Sequence, residues 1–148
     1  MNPQDDPVLE MALQNKFQEE MQKEVYLMRE LLSNMHQEEV SLMLQDKRCF
    51  QEILDTRSTL LEKLGRVRRD KQGLLHALEK SSPYLSHSIE ILSLYDQIST
   101  LSEKIHRQFF TNRHLTKHPD HSLMQSEYLH EKRKPSQKTK VITLQIKR

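Results

Sequence analysis

Between Val8 and Ser82 apolar side chains return at every third or fourth residue, with charged and amide side chains between them. The same stretch contains no proline and only two glycines. Because 3.6 residues complete a helical turn, this spacing places an apolar stripe along one side of each helix. The chain therefore predicts long α-helices packed along their lengths rather than a β-sheet.

The first helix is expected over about residues 7–45, with Pro7 in its first turn, where proline is well tolerated. Its apolar stripe consists of Leu9, Leu13, Phe17, Met21, Val25, Met28, Leu32 and Met35. The stripe becomes denser at Val40, Leu42, Met43 and Leu44, which favours a turn back onto a partner helix. A break is favoured at residues 45–48, where Asp46 would cap the following helix. This stretch has no glycine or proline, so one helix that continues through it is the alternative.

The second helix, expected over about residues 47–80, has apolar positions in a seven-residue repeat that is typical of a coiled-coil seam. The predicted structural seam comprises Ile53, Leu60, Leu64, Val67, Leu74 and Leu78. Arg57 and Lys71 interrupt this seam, and we expect their methylenes to lie on it while their charges stay in water. Gly65 and Gly73 are expected to allow close approach of a neighbouring helix.

A third helix is expected over about residues 86–115, after Pro83 has ended the second. Its stripe runs through Leu85, Ile89, Leu92, Tyr95, Ile98, Leu101, Ile105 and Phe109. The predicted fold class is all-α: an elongated antiparallel three-helix bundle over residues 1–116 with coiled-coil-like packing. Residues 117–148 are predicted to form a basic, flexible and mostly disordered tail.

Charge is distributed unevenly along the chain. Residues 1–45 hold nine acidic and three basic side chains, residues 46–103 nine of each, and residues 104–148 three acidic and eleven basic. Such a gradient suggests that the two ends face different partners, or each other. We expect partner binding at apolar residues at and beyond the end of the third helix, namely Leu115, Leu123, Met124, Tyr128, Leu129, Val141, Ile142, Leu144 and Ile146.

Sequence motifs for catalysis are not evident. With two glycines in the chain, a phosphate-binding loop or a nucleophile elbow is hard to build. His114, His118 and His121 have metal-compatible spacing, but Pro119 interrupts the helix between them. We therefore expect no catalytic residue, metal site or cofactor, no small-molecule substrate and no nucleic acid. Cys49 is expected to be a small, at least half-buried thiol, and the polar chain is expected to be cytoplasmic.

The stretch from residue 31 to residue 75 resembles the FlgN-type chaperones of flagellar and type III export. The resemblance depends on a leucine pair, two glutamates, an acidic turn residue and a basic residue before a second leucine pair. These are Leu31-Leu32, Glu38-Glu39, Leu42, Asp46, Arg57 with Leu60-Leu61, and then Leu64, Val67, Lys71 and Leu74-Leu75. The segment from Phe109 through Asn112 to Leu115 is similar to the end of that family's last core helix.

This resemblance, which covers about 100 residues, implies an export chaperone that keeps a hook-associated-type or other secreted protein soluble before type III export. In that family the C-terminal region grips the substrate, and export ATPase or gate components are further possible partners. The alternatives are a coiled-coil stalk of a type III export ATPase, as in the FliJ and YscO families, and a general helical adaptor or dimeric coiled-coil scaffold. A homo-oligomer is a further possible assembly of this chain. A stalk predicts a two-helix hairpin, whereas a chaperone predicts a third packed helix.

Overall fold

The computed structural model describes residues 7–81 and 88–117, and these residues form three α-helices. Helix α1 spans Pro7–Leu44, α2 spans Lys47–Ser81 and α3 spans Ile89–Thr116. At 1.5 Å per residue, the 38 residues of α1 extend over about 57 Å. The predicted all-α class and the elongated three-helix bundle are therefore confirmed.

Helix α1 is the central element, because both α2 and α3 pack closely against it and much less closely against each other. Consecutive helices run antiparallel, so α1 and α3 run in the same direction. Contacts between α1 and α3 show this direction, because residue numbers increase together on the two helices. The Phe17 ring lies 6.3 Å from the Tyr95 ring, and further along both helices Asn112 donates a hydrogen bond to Glu38.

One apolar core runs along the bundle and receives side chains from all three helices. Its buried members are Phe17, Met21, Val25, Leu27, Met28, Leu31, Met35, Leu61, Leu64, Leu78, Ile91, Leu94, Leu101 and Ile105. Three methionines at heptad spacing, Met21, Met28 and Met35, are buried in this core along α1. Methionine is flexible and fills irregular space, so this column adapts to the side chains packed against it.

The break after Leu44 is a left-handed C-terminal cap. Gln45 has a φ of 54°, the amide of Gln45 donates to the Leu42 carbonyl at 3.3 Å, and the amide of Asp46 donates to the Ser41 carbonyl at 3.0 Å. These two bonds are the pair that defines a Schellman motif. Asp46 then caps α2 as expected, by accepting a 3.0 Å bond from the Cys49 amide.

Several expected burials are wrong. Of the apolar residues clustered before the break, only Leu42 is buried, whereas Val40, Met43 and Leu44 face solvent. Two residues of the expected third stripe, Ile89 and Leu92, are also exposed, and so is the thiol of Cys49. These side chains fit the spacing of an apolar helical stripe, but they lie on a part of the helix surface that the neighbouring helices do not cover.

The two glycines do not serve close packing of neighbouring helices, contrary to expectation. A Cβ at Gly73 would meet nothing within 4 Å, and a Cβ at Gly65 would meet only the flexible end of Arg69, at 3.7 Å. Nothing in the described part of the chain explains Gly73. The position that does require left-handed geometry, Gln45, carries a residue with a side chain.

Replacement of Gln45 by glycine is predicted to stabilise the fold by about 1 kcal/mol, because a left-handed residue with a Cβ costs about 1–2 kcal/mol that glycine avoids. Urea denaturation followed by circular dichroism measures the change. Gln45→Ala, which keeps the Cβ, is the control and should bring no such gain. Equal stability of the two variants would show that the turn does not hold this conformation in solution.

Candidate partner-binding site

Two buried ionic layers join α1 to α2. Glu24 is 2% exposed; it accepts a 2.8 Å hydrogen bond from Arg68 Nε and a second from Lys71 Nζ. Glu38 is 1% exposed and accepts a 3.0 Å bond from Arg57 Nη1. The expectation that Arg57 and Lys71 hold their charges in water is therefore wrong. A buried carboxylate is stable only when it is paired, and these cations turn inward to meet it.

The layers follow one antiparallel heptad register. Glu24 and Glu38 stand two heptads apart on α1, and their mates Lys71 and Arg57 stand two heptads apart on α2. Midway between them on the two helices are Leu31 and Leu64, both in the apolar core. A slip of one heptad in either direction would bring each carboxylate level with a leucine or with Phe50, so the charges fix how α1 and α2 align.

Helix α3 is tied to the Glu38 layer by its amide side chains. Asn112 Nδ2 donates to the Met35 carbonyl at 2.8 Å and also to Glu38 Oε1. Gln108 Nε2 donates to Asn112 Oδ1 at 2.9 Å and to Glu39 Oε2 at 2.6 Å. Through these bonds the same layer positions all three helices at the turn end of the bundle.

Asn34 completes this network on the α2 side. Its Nδ2 donates to the Ile53 carbonyl at 2.9 Å, and its Oδ1 accepts from Arg57 Nε at 2.9 Å. The amide thus orients the guanidinium toward Glu38 while satisfying its own donor and acceptor. Buried hydrogen-bonded networks of this kind hold side chains in one arrangement.

Toward the turn, a second apolar cluster closes the end of the bundle. Leu42 from α1 is buried against Phe50 and Leu54 from α2, and the half-buried Leu115 from α3 packs onto them. Leu115, a predicted partner-binding residue, therefore lies against this cluster rather than on an open surface. Lys117, the C-cap of α3 and the last residue that the structure describes, therefore lies at the turn end of the bundle.

Above this cluster α1 presents an exposed surface without any carboxylate, lysine or arginine. We call it the α1 end face; it consists of Ser33, His36, Gln37, Val40, Met43 and Leu44. Val40 is 55% exposed, Met43 62% and Leu44 73%. Exposed helix faces usually carry charges, and three large apolar side chains on one uncharged face are typical of a protein-binding surface.

The remaining predicted residues divide between the core and the part of the chain that lies outside the described ranges. Ile53, Leu64 and Leu78 are buried, and Leu60, Val67 and Leu74 are partly buried against the apolar core. The predicted tail and its partner-binding residues, Leu123, Met124, Tyr128, Leu129, Val141, Ile142, Leu144 and Ile146, lie outside the described residues. So do His118 and His121; within residues 7–81 and 88–117 no cluster of metal-binding side chains occurs.

Comparison with protein-family models, curated proteins and solved structures finds no match for this chain. None of the helices in the described ranges carries an apolar window long enough to cross a membrane.

Removal of Arg57 is predicted to destabilise the fold by about 3 kcal/mol, since Arg57→Leu leaves the Glu38 carboxylate buried without its cation. Chemical denaturation of both proteins measures the loss. The matched control is Arg48→Leu, because Arg48 forms an exposed pair with Glu52 at 3.7 Å and such pairs contribute little. If the two leucine variants unfolded at the same denaturant concentration, the buried layer would not exist in solution.

Proposed function

We propose that this protein is a cytoplasmic export chaperone of the FlgN type, which binds an apolar helical segment of a secreted or hook-associated-type protein and keeps it soluble before type III export. The observation that carries this proposal is the α1 end face, an uncharged and exposed surface at the turn end of the bundle. Its chemistry is that of binding rather than catalysis.

The binding mode is an amphipathic partner helix laid along α1. Val40, Met43 and Leu44 occupy one side of the last turns of the helix, so they match apolar side chains spaced by three or four residues on a partner. Each such side chain contributes about 1.5–3 kcal/mol when it is fully removed from water. Three of them give an interaction that is strong enough to shield a partner and weak enough to be reversed at export.

Rigidity of the surface supports the same proposal. The Glu38 network lies beneath the α1 end face and binds α1 to both neighbouring helices. A surface held in one arrangement loses little conformational entropy when a partner binds. In the proposed chaperone residues 118–148 add further contacts to the partner, as the resemblance implies.

The packing of α3 favours the chaperone over the export ATPase stalk. A stalk needs a two-helix hairpin with free flanks, whereas α3 covers one flank of α1 and contributes Asn112 to its buried network. A general helical adaptor would use the same α1 end face, and the identity of the bound partner separates it from an export chaperone.

Partner capture is predicted to fall by about tenfold or more in the variant Leu44→Glu, since a carboxylate in place of the leucine would lose hydration on binding. The probes are peptides of the terminal helices of filament-joining proteins from the same organism, measured by fluorescence anisotropy. The matched control is Ile89→Glu, an equally exposed apolar residue at the opposite end of the bundle, which should bind normally.

Removal of residues 117–148 should leave the helicity of the bundle intact and abolish capture. Equal binding by the Leu44→Glu and Ile89→Glu proteins would remove the α1 end face from the mechanism. Full-strength binding by the shortened chain would likewise remove residues 117–148. If no filament-joining peptide bound the intact protein, the export-chaperone proposal itself would fail.

A further inference from the structure

A second surface of the bundle has a charge arrangement that fits a particular partner. It is a shallow, open groove lined by α1 and α2, and it lies nearer the start of α1 than the α1 end face does. Leu27 and Val67 form its apolar floor, and Tyr26 stands beside them with 62% of its surface exposed. The charged residues that line it are Glu19, Glu20, Lys23, Lys63, Arg66 and Asp70.

The two signs of charge lie at opposite ends of this groove. In the register set by the Lys71–Glu24 pair, Asp70 lies level with Val25, close to Tyr26 and just on its Glu19 side. Lys63 lies about 10 Å from Asp70 along α2, toward the turn, with Arg66 between them. The groove is therefore acidic on one side of Tyr26 and basic on the other.

Two other charged residues, Lys23 and Glu30, lie in or near the groove and bear on the net charge of its two ends. Lys23 lies at the acidic end, but its ammonium donates to Glu20 at 2.8 Å; this hydrogen bond, with the Glu20 charge, raises the pKa of Lys23. The pair is thus neutral, and Glu19 and Asp70 remain. Glu30, one turn beyond Tyr26 on α1, is exposed and does not line the groove.

We propose that this groove is the interface of a symmetric homodimer. A two-fold axis through the region of Tyr26 would place the acidic end of one protomer against the basic end of the other. The same rotation would pair the two remaining ends. Glu19 and Asp70 of each copy then meet Arg66 and Lys63 of its mate. The two Tyr26 rings lie near the axis, the position at which interface aromatic residues contribute most.

Size and charge define the strength of this dimer. The groove extends over about 20 Å along the helices, which is less than stable interfaces of standard size cover. We expect an equilibrium in the micromolar range that weakens with added salt, because the pairs are exposed and screened. The inference is independent of the proposed function, since it uses none of the residues of the α1 end face.

Two charge-reversed forms of the full-length protein test the arrangement by analytical ultracentrifugation. The first form, Lys63→Glu with Arg66→Glu, is acidic at both ends of the groove. The second, Glu19→Lys with Asp70→Lys, is basic at both ends. All four residues are exposed, so both forms should fold, and circular dichroism verifies this. Each form alone should be a monomer, and an equimolar mixture should form a one-to-one dimer.

The natural chain should dimerise, and Tyr26→Ala should weaken the dimer at least tenfold. A natural chain that stays monomeric up to about 1 mM would overturn the proposal. Dimers formed by either reversed form alone would place the interface elsewhere. A mixture that stays monomeric while the natural chain dimerises would show that the groove charges do not pair across a two-fold axis.

Discussion

A carboxylate that leaves water must find a cation, and this requirement sets the alignment of the bundle. Glu24 and Glu38 are buried on α1, and α2 supplies a cation for each only in one antiparallel register. Apolar side chains alone tolerate a shift of one heptad, because leucine replaces leucine, whereas the charged layers do not. The Arg57 Nη2 atom is buried without a hydrogen-bond partner among the described residues, which indicates that this layer specifies register rather than maximal stability.

The remaining features follow from that alignment. Asn112 reaches Glu38 only when α3 lies at one height along α1, so the third helix takes its register from the same layer. The Schellman turn at Gln45 can then close with Leu42 beneath it, and Val40, Met43 and Leu44 are left outside. The proposed binding surface is thus defined by which apolar residues the ionic layers leave uncovered.

The helices, the seam and the break could be predicted, because each depends on residues close in sequence. The seven-residue repeat of α2 located Leu64 and Leu78, and Asp46 marked a helix start without glycine or proline. The ionic layers were missed, because a glutamate in a helix usually faces water. The matching two-heptad spacing of Glu24 to Glu38 and of Arg57 to Lys71 was the signal that could have revealed them. The exposure of Val40, by contrast, depends on how much of the α1 surface α2 and α3 cover. The spacing of apolar residues along α1 gives no information on that coverage.

The most direct test replaces Glu24, Glu38, Arg57, Arg68 and Lys71 together by leucine and measures the alignment of α1 and α2. Spin labels at the exposed positions Gln37 and Gln72, which lie about 21 Å apart along the helix axes in the native register, report the alignment by pulsed electron resonance in a chain with Cys49 changed to serine. We predict one narrow distance in the protein with its natural ionic layers. In the leucine variant we predict several distances, because each one-heptad slip shifts the helices by about 10 Å. A single unchanged distance in the leucine variant would contradict the role assigned to the buried charges.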